Sequence, residues 1–269
     1  MAAEKPPDLW ALGDAYEPYV GRWSRSVARE FLRWLALPPE LAWLDIGCGT
    51  GALSRTILDD CAPRSVLAVD SSDGFLGYAQ HRLQDPRITF RLGDAQALPL
   101  PDHSVDAAVS GLVLNFIPDK ARALVEMKRV VRRDGTVALY VWDYAGKMEL
   151  MRYFWNAAAA LDPRAETLDE GRRFSFCNPE PLVDLFQTAG FSNIDHHTID
   201  VPTVFRDFTD YWTPFFGGQG PAPSYCMSLS PEQREALRVR LRDDLPMQAD
   251  GSISLIARAF AIRATVSGS

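Results

Sequence analysis

The sequence predicts an α/β protein: a doubly wound sheet of seven strands, largely parallel, with a helical cap inserted ahead of the last strand. Three features predict it. Apolar strand-length runs alternate with amphipathic helical patterns from residue 42 to residue 142, the rhythm of parallel βαβ units covered by helices on both faces. The first run is followed at once by a glycine-dense turn, WLDIGCGTG at 43–51. A stretch containing an aromatic cluster and a Gly/Pro-rich loop, 205–251, separates the last two strand candidates, as a lid at a sheet edge would.

The elements follow in order. Val27, Phe31, Leu32, Trp34 and Leu35 recur at helical spacing within 24–37, and Pro38-Pro39 stops the pattern. Strands are expected at 42–46, 65–69, 88–92, 105–110 and 136–142, with helices at 51–60, 74–84 and 120–131 and a turn at 132–135, Arg-Arg-Asp-Gly. Beyond Tyr144 come a helix at 150–161, a charged loop, a helix at 179–189 stopped by Gly190, and a sixth strand at 193–201. A helix at 231–245 lies inside the insertion, and a last strand spans 252–262. The expected organisation is an N-terminal helical segment, 1–40, a core made of 41–204 with 252–269, and the cap, 205–251.

Composition narrows the function. A chain of 269 residues, 47% hydrophobic, can bury a sizeable core. Its net charge of -7 and pI near 5.2 disfavour nucleic acid, whose binders carry a basic field. The four cysteines, Cys48, Cys61, Cys177 and Cys226, show neither metal-ligand spacing nor a disulfide framework. No run approaches the roughly 20 apolar residues that span a bilayer, and the N-terminus lacks a signal-peptide core. The expectation is a cytoplasmic protein without integral membrane association or a metal site, acting on a small molecule.

Three glycines so close together mark a backbone that bends tightly or admits close approach. Gly47, Gly49 and Gly51 fall where the first strand opens into a helix, the place where open α/β sheets bind ligands against unsatisfied helix N–H groups. Gly47-x-Gly49-x-x-Ala52 also satisfies the loose dinucleotide fingerprint, so the glycines alone leave NAD open. Asp70, closing the second strand in VLAVD, can accept from both ribose hydroxyls of either ligand. Asp45 places a negative charge beside the loop, repelling a pyrophosphate and tolerating a cation. Asp94 can accept from an adenine exocyclic amine. Together these favour S-adenosylmethionine over NAD.

Four stretches in register, LDIGCGTG at 44–51, AVDSS at 68–72, GDAQALPLPDHSVDAAVSGLVLNFIPD at 93–119 and EMKRVVRRDGTVALYVWD at 126–143, resemble the core of class I S-adenosylmethionine-dependent methyltransferases, especially the group of ubiquinone and menaquinone biosynthesis enzymes (methyltransferase type 11). The resemblance implies a Rossmann-like seven-stranded sheet with an antiparallel last strand, and S-adenosylhomocysteine as product. It places Asp45, Gly47, Cys48, Gly49 and Gly51 around the methionine part of the cofactor, and Asp70 on the ribose. Ser71 and Ser72 line the adenosine, and Asp94, Ala95 and Gln96 face the adenine. Backbone atoms of Ser110, Gly111 and Leu112 approach the amino group. The N-terminal segment folds over the cofactor, with Tyr16 and Arg22 near its carboxylate.

Where many relatives carry a histidine after the fourth strand, this chain reads Leu114-Asn115-Phe116, and Asn115 can orient a substrate but is a poor proton acceptor. No catalytic base is assigned. His196 and His197 alternate across a strand, and His103 and His81 read as solvated. Among the late aromatics, Tyr144, Trp155, Tyr211 and Trp212 are the candidates for an apolar acceptor site, against the competing reading that buried aromatics are core. The expected function is methylation of a small, partly apolar molecule at oxygen, nitrogen or carbon. The alternatives are a non-catalytic binder of S-adenosylmethionine or S-adenosylhomocysteine, and an NAD-dependent oxidoreductase.

Overall fold

A strand buried along its whole length, Ala42–Ile46 (β1), organises the sheet. In the computed structural model, which describes residues 17–217 and 220–267, β1 pairs in parallel with Ser65–Asp70 (β2) on one side and Val105–Gly111 (β4) on the other. Ile88–Leu92 (β3) lies outside β2, and Val131–Trp142 (β5) extends the parallel set beyond β4. Ser192–Phe205 (β6) and Ile253–Thr265 (β7) complete the order β3-β2-β1-β4-β5-β7-β6, with β7 antiparallel to β5. This is the seven-stranded Rossmann-like sheet that the resemblance implies. Strands covered on both faces need no polar alternation, which is why β1, β4 and the second half of β5 read as near-continuous apolar runs.

The chain forms two compact units. The sheet unit comprises Ser24–Trp142, Phe176–Ile199 and residues 259–267; the second comprises residues 17–23, Asp143–Ser175 and Asp200–Arg258, with residues 218 and 219 set aside. In the sheet unit Ala52–Asp60, Asp73–Arg82 and Lys120–Val130 are the crossover helices. Ser72 caps the second, its hydroxyl accepting from Phe75 N, and Asp119 caps the third by accepting from Arg122 N. Val27, Phe31 and Leu35 form the buried face of the helix Arg22–Leu35, and Phe31 meets Tyr140 of β5 at 4.7 Å.

One expected turn is corrected. Arg132 to Gly135 does not interrupt the chain before the fifth strand but lies within β5. The extra residues are absorbed as a bulge: Val105 pairs with Val131, whereas Ala107 pairs with Thr136. Asp134 takes a left-handed φ of 62°, and a Cβ on Gly135 would stand 2.6 Å from the Asp106 carbonyl oxygen. The Asp-Gly pair signals φ > 0 correctly, but a bulge satisfies the same conformational preference as a turn.

The second unit is organised by rings. Phe154 of the helix Glu149–Leu161 stacks on Phe215 at 4.4 Å, and Tyr19 and Tyr211 meet Phe215 at 5.4 and 5.5 Å. Its last long helix, Pro231–Asp244, starts with a capping box of Ser230 and Gln233. Among the described residues no helix is long and apolar enough to cross a membrane.

Candidate functional site

Strand order reverses between β1 and β4, and the loops leaving β1, β2 and β4 at their carboxyl ends are tied together. Gly47 N and Cys48 N donate to Val69 O at 2.7 and 3.0 Å, and Ser110 Oγ donates to Ile46 O at 2.8 Å. Gly49 N donates to Asp70 Oδ2, and Ser72 N to Asp70 Oδ1, each at 2.8 Å. Asp70 therefore locks the first loop to the second, while its remaining lone pairs are open to further donors. Burial raises its pKa, and the amides of Ser72, Gly49 and Ser71 oppose that rise.

The three glycines have left-handed φ of 69°, 53° and 87°, but their surroundings differ. A Cβ on Gly47 would collide with the Val113 side chain at 2.5 Å, and one on Gly51 with Leu83 Cδ1 at 2.6 Å. At Gly49 a Cβ would meet no atom of the described residues within 4 Å. Two glycines serve packing, and the middle one holds a bare backbone against open space.

Asp45 lies beneath this loop, not on its surface. It is 1% exposed, its Oδ2 accepts from Ser54 Oγ at 2.6 Å, and its Oδ1 has no hydrogen-bond partner among the described residues. Burial pushes its carboxyl up to about 7, with the Ser54 hydrogen bond opposing. In the sequence Asp45 is a plain charge beside the loop, and nothing there marks Ser54, nine residues on in the first turns of the next helix, as its partner. A buried oxygen without a donor and a glycine cradle are what an amino-bearing ligand needs. These residues fit S-adenosylmethionine.

The other candidates fall around the same strand ends. Asp94, exposed after β3, accepts from Gln96 N at 2.8 Å and from Gln96 Nε2, bonds that lower its pKa and keep it an ionised acceptor. Gln96 Oε1 accepts from Asp119 N at 3.0 Å, and Ala95 lies half-buried between the two. The Ser72 and Ser110 hydroxyls are committed to backbone groups, and Ser71 is exposed. Gly111 packs against Tyr140, whose Oη would stand 2.5 Å from a Cβ there. Leu112 holds a left-handed φ of 64° and donates its N–H to Tyr140 O at 2.8 Å. No sequence signal announced that strain, which belongs to a loop fixed from several sides. Asn115 is buried in the 3-10 turn Leu114–Phe116, and Cys48 is a buried thiol whose pKa burial raises.

Tyr16 lies outside the described residues. Arg22, Tyr144, Trp155, Tyr211 and Trp212 belong to the second unit, where all four aromatics are buried. Tyr211 Oη donates to Leu150 O at 2.9 Å, Tyr144 packs on Phe174 at 5.2 Å, and Trp155 Nε1 donates to Glu170 Oε2. Trp212 stacks on Phe208. Glu170, 2% exposed, was not singled out by sequence; burial pushes its carboxyl up to about 7. Beside it Arg152 pairs with both oxygens of Asp169. Among the described residues no three His, Cys, Asp or Glu gather as a metal site.

The fold and this glycine loop define an α/β domain with a glycine-rich backbone loop at the sheet's switch point. Comparison with known proteins gives the family. The family described as "Methyltransferase domain" matches residues 44–139. The chain is 30% identical over 177 residues to a demethylmenaquinone methyltransferase from Roseiflexus castenholzii, covering 61% of this chain and 74% of that protein. It is 35% identical over 121 residues to a malonyl-[acyl-carrier protein] O-methyltransferase from Methylococcus capsulatus, covering 45% of this chain and 44% of that one. Two of the curated relatives are thus matched over only 34% and 44% of their own length. The Haemonchus contortus phosphoethanolamine N-methyltransferase 2 structure in complex with S-adenosyl-L-methionine shares the fold, with a TM-score of 0.59 at 17% identity over 95% of this chain and 56% of that one. The chain belongs to the class I S-adenosylmethionine-dependent methyltransferases, whose cofactor is S-adenosylmethionine.

Proposed function

We propose that this protein transfers the methyl group of S-adenosylmethionine to a small, partly apolar acceptor in the cytoplasm. The observation that carries the reading is the pairing of Gly49 with Asp70: an open glycine backbone whose N–H holds one oxygen of a carboxylate already fixed by Ser72 N. A carboxylate so oriented accepts from the two hydroxyls of a ribose without first paying to be positioned. Asp45 Oδ1 accepts from the cofactor's amino group, and ionised Asp94, held by Gln96, accepts from the adenine amine.

The cofactor supplies a sulfonium methyl for in-line displacement by oxygen, nitrogen or carbon. The chain's part is alignment and exclusion of water, which converts an encounter into a near-attack geometry. Asn115, buried at the end of the β4 loop, orients the acceptor and does not remove its proton. Tyr144, Trp155, Tyr211 and Trp212 supply the apolar surroundings that a small hydrophobic acceptor needs. The acidic balance of the chain argues against nucleic acid as that acceptor.

The test is isothermal titration with S-adenosylmethionine, S-adenosylhomocysteine and NAD, using Asp70→Ala as control, followed by a screen of small acceptors. Binding of the first two, lost in the variant, is the expected result. Binding of NAD alone overturns the reading, and cofactor binding without turnover on any acceptor points to a non-catalytic binder.

A further inference from the structure

Arg22 presents an unusual arrangement within the second unit. Its Nη1 donates to Asp210 Oδ1 at 3.0 Å, and its guanidinium carbon lies 4.4 Å from the Trp23 ring centroid and 4.6 Å from that of Phe205. Asp210 is further engaged by Arg206, through Arg206 N at 3.0 Å and the Arg206 side chain at 3.6 Å, so it is shared between two cations. Nε and Nη2 of Arg22 are buried and have no hydrogen-bond partner among the described residues.

Those two atoms are the same edge of the guanidinium, the edge that receives a carboxylate or phosphate side-on through two parallel N–H···O bonds. A desolvated cationic edge is costly to leave without acceptors, so its burial calls for a reason. Two further buried donors without a hydrogen-bond partner among the described residues belong to the same neighbourhood: Trp23 Nε1, and Thr203 Oγ1, which stands two residues before Phe205 on the same buried face of β6. The rings and Asp210 hold the guanidinium in place, and Asp210 precedes Tyr211 and Trp212 on the short helix Phe208–Trp212. A fixed anion hook is thereby joined to the aromatics assigned to the acceptor.

We propose that Arg22 is a specificity-determining residue that binds an oxyanion of the methyl acceptor, through Nε and Nη2, and that the acceptor is an apolar molecule carrying a carboxylate or phosphate. This rests on the methyltransferase reading. It differs from the role the family resemblance implied for Arg22, on the carboxylate of the cofactor, and the two are separable by experiment.

The experiment titrates the full chain, saturated with S-adenosylhomocysteine, with matched probes: benzoate against benzamide, octanoate against octanamide, and phenyl phosphate against phenol. The expected result is that at least one anion binds tenfold or more tightly than its neutral partner, and that this preference disappears in Arg22→Met. Arg22→Lys keeps the charge but lacks the two-pronged edge, and it is expected to recover less than a third of the preference. Anions and neutral partners binding equally, or not at all, overturns the proposal without any variant having to fold. So does a preference that persists in a folded Arg22→Met protein, verified by its circular dichroism melt. A matching loss of S-adenosylhomocysteine affinity in Arg22→Met, with the decarboxylated cofactor analogue unaffected, assigns the edge to the cofactor and also overturns it. Failure of the wild-type chain to bind S-adenosylhomocysteine at all is a separate result, and it strikes the methyltransferase reading itself.

Discussion

Replacing Gly47 and Gly49 one at a time by alanine separates packing from ligand approach within a single loop. Both positions have left-handed φ, so each alanine costs about 1 kcal/mol in backbone strain. At Gly47 the new Cβ also meets Val113 at 2.5, 2.6 and 2.9 Å, an overpacking that adds about 1–3 kcal/mol. For a chain of this size each kcal/mol moves Tm by about 2–4 °C, so Gly47→Ala is expected to melt roughly 4–16 °C low and Gly49→Ala only about 2–4 °C low. The order inverts for the ligand. On the proposed function a methyl group at Gly49 stands where the cofactor approaches, and S-adenosylhomocysteine affinity is expected to fall at least tenfold, about 1.4 kcal/mol. Melting curves and titration calorimetry on the two variants read both quantities. Adding Val113→Ala to Gly47→Ala removes two of the three clashing atoms and should raise Tm above that of the single variant. A Gly49→Ala protein that binds S-adenosylhomocysteine like wild type would refute the assignment of that space to the ligand.

Three further outcomes are expected. Asp70→Asn turns one acceptor into a donor facing a backbone N–H, leaving Gly49 N or Ser72 N unsatisfied at a cost of about 1–3 kcal/mol; a lower Tm together with weakened S-adenosylhomocysteine binding in calorimetry checks it. Burial raises the folded-state pKa of Asp45 from 3.8 to about 7, so its contribution to stability is complete below about pH 4 and is lost as pH rises through 7. The Tm of Asp45→Asn relative to wild type should therefore climb between about pH 4 and pH 7, the interval between the unfolded and folded pKa values, and level off above it; a falling difference would sink the burial argument. Ser54→Ala removes the hydroxyl that donates to Asp45 Oδ2, leaving the Ser54 amide in place, and should extend that climb to higher pH, since the hydroxyl hydrogen bond favours the ionised form.

How much of this was legible in the sequence depends on how local each signal is. β1 and β3 fall on their expected residues, because burial on both faces at the sheet centre and a bounded run at its edge are short-range patterns. The 132–135 stretch was misread because an Asp-Gly pair reports a backbone angle and not whether pairing continues through it. The glycines were recognised as a group, yet nothing local distinguishes Gly49 from its neighbours. Val113 and Leu83, which make Gly47 and Gly51 obligatory, are distant in sequence. The same limit hid the Trp155–Glu170 contact and the bare edge of Arg22, which exist only once strands and helices have brought separate segments together.

The contacts that shape the proposed cofactor cradle are largely made by main-chain amides: Gly47, Cys48, Gly49 and Ser72 each contribute an N–H, and of the side chains tying the loops Asp70 is shared between two of them. An amide is supplied by any residue except proline, so on the proposed function position 48 can change its side chain over generations without surrendering the ligand, and position 72 needs only another helix-capping residue. Constraint is thereby concentrated on a few angles and one carboxylate. If the acceptor is read, as proposed, by rings and a guanidinium, it is left to diversify at its own pace, and a lineage can acquire a new substrate while inheriting its methyl donor unchanged.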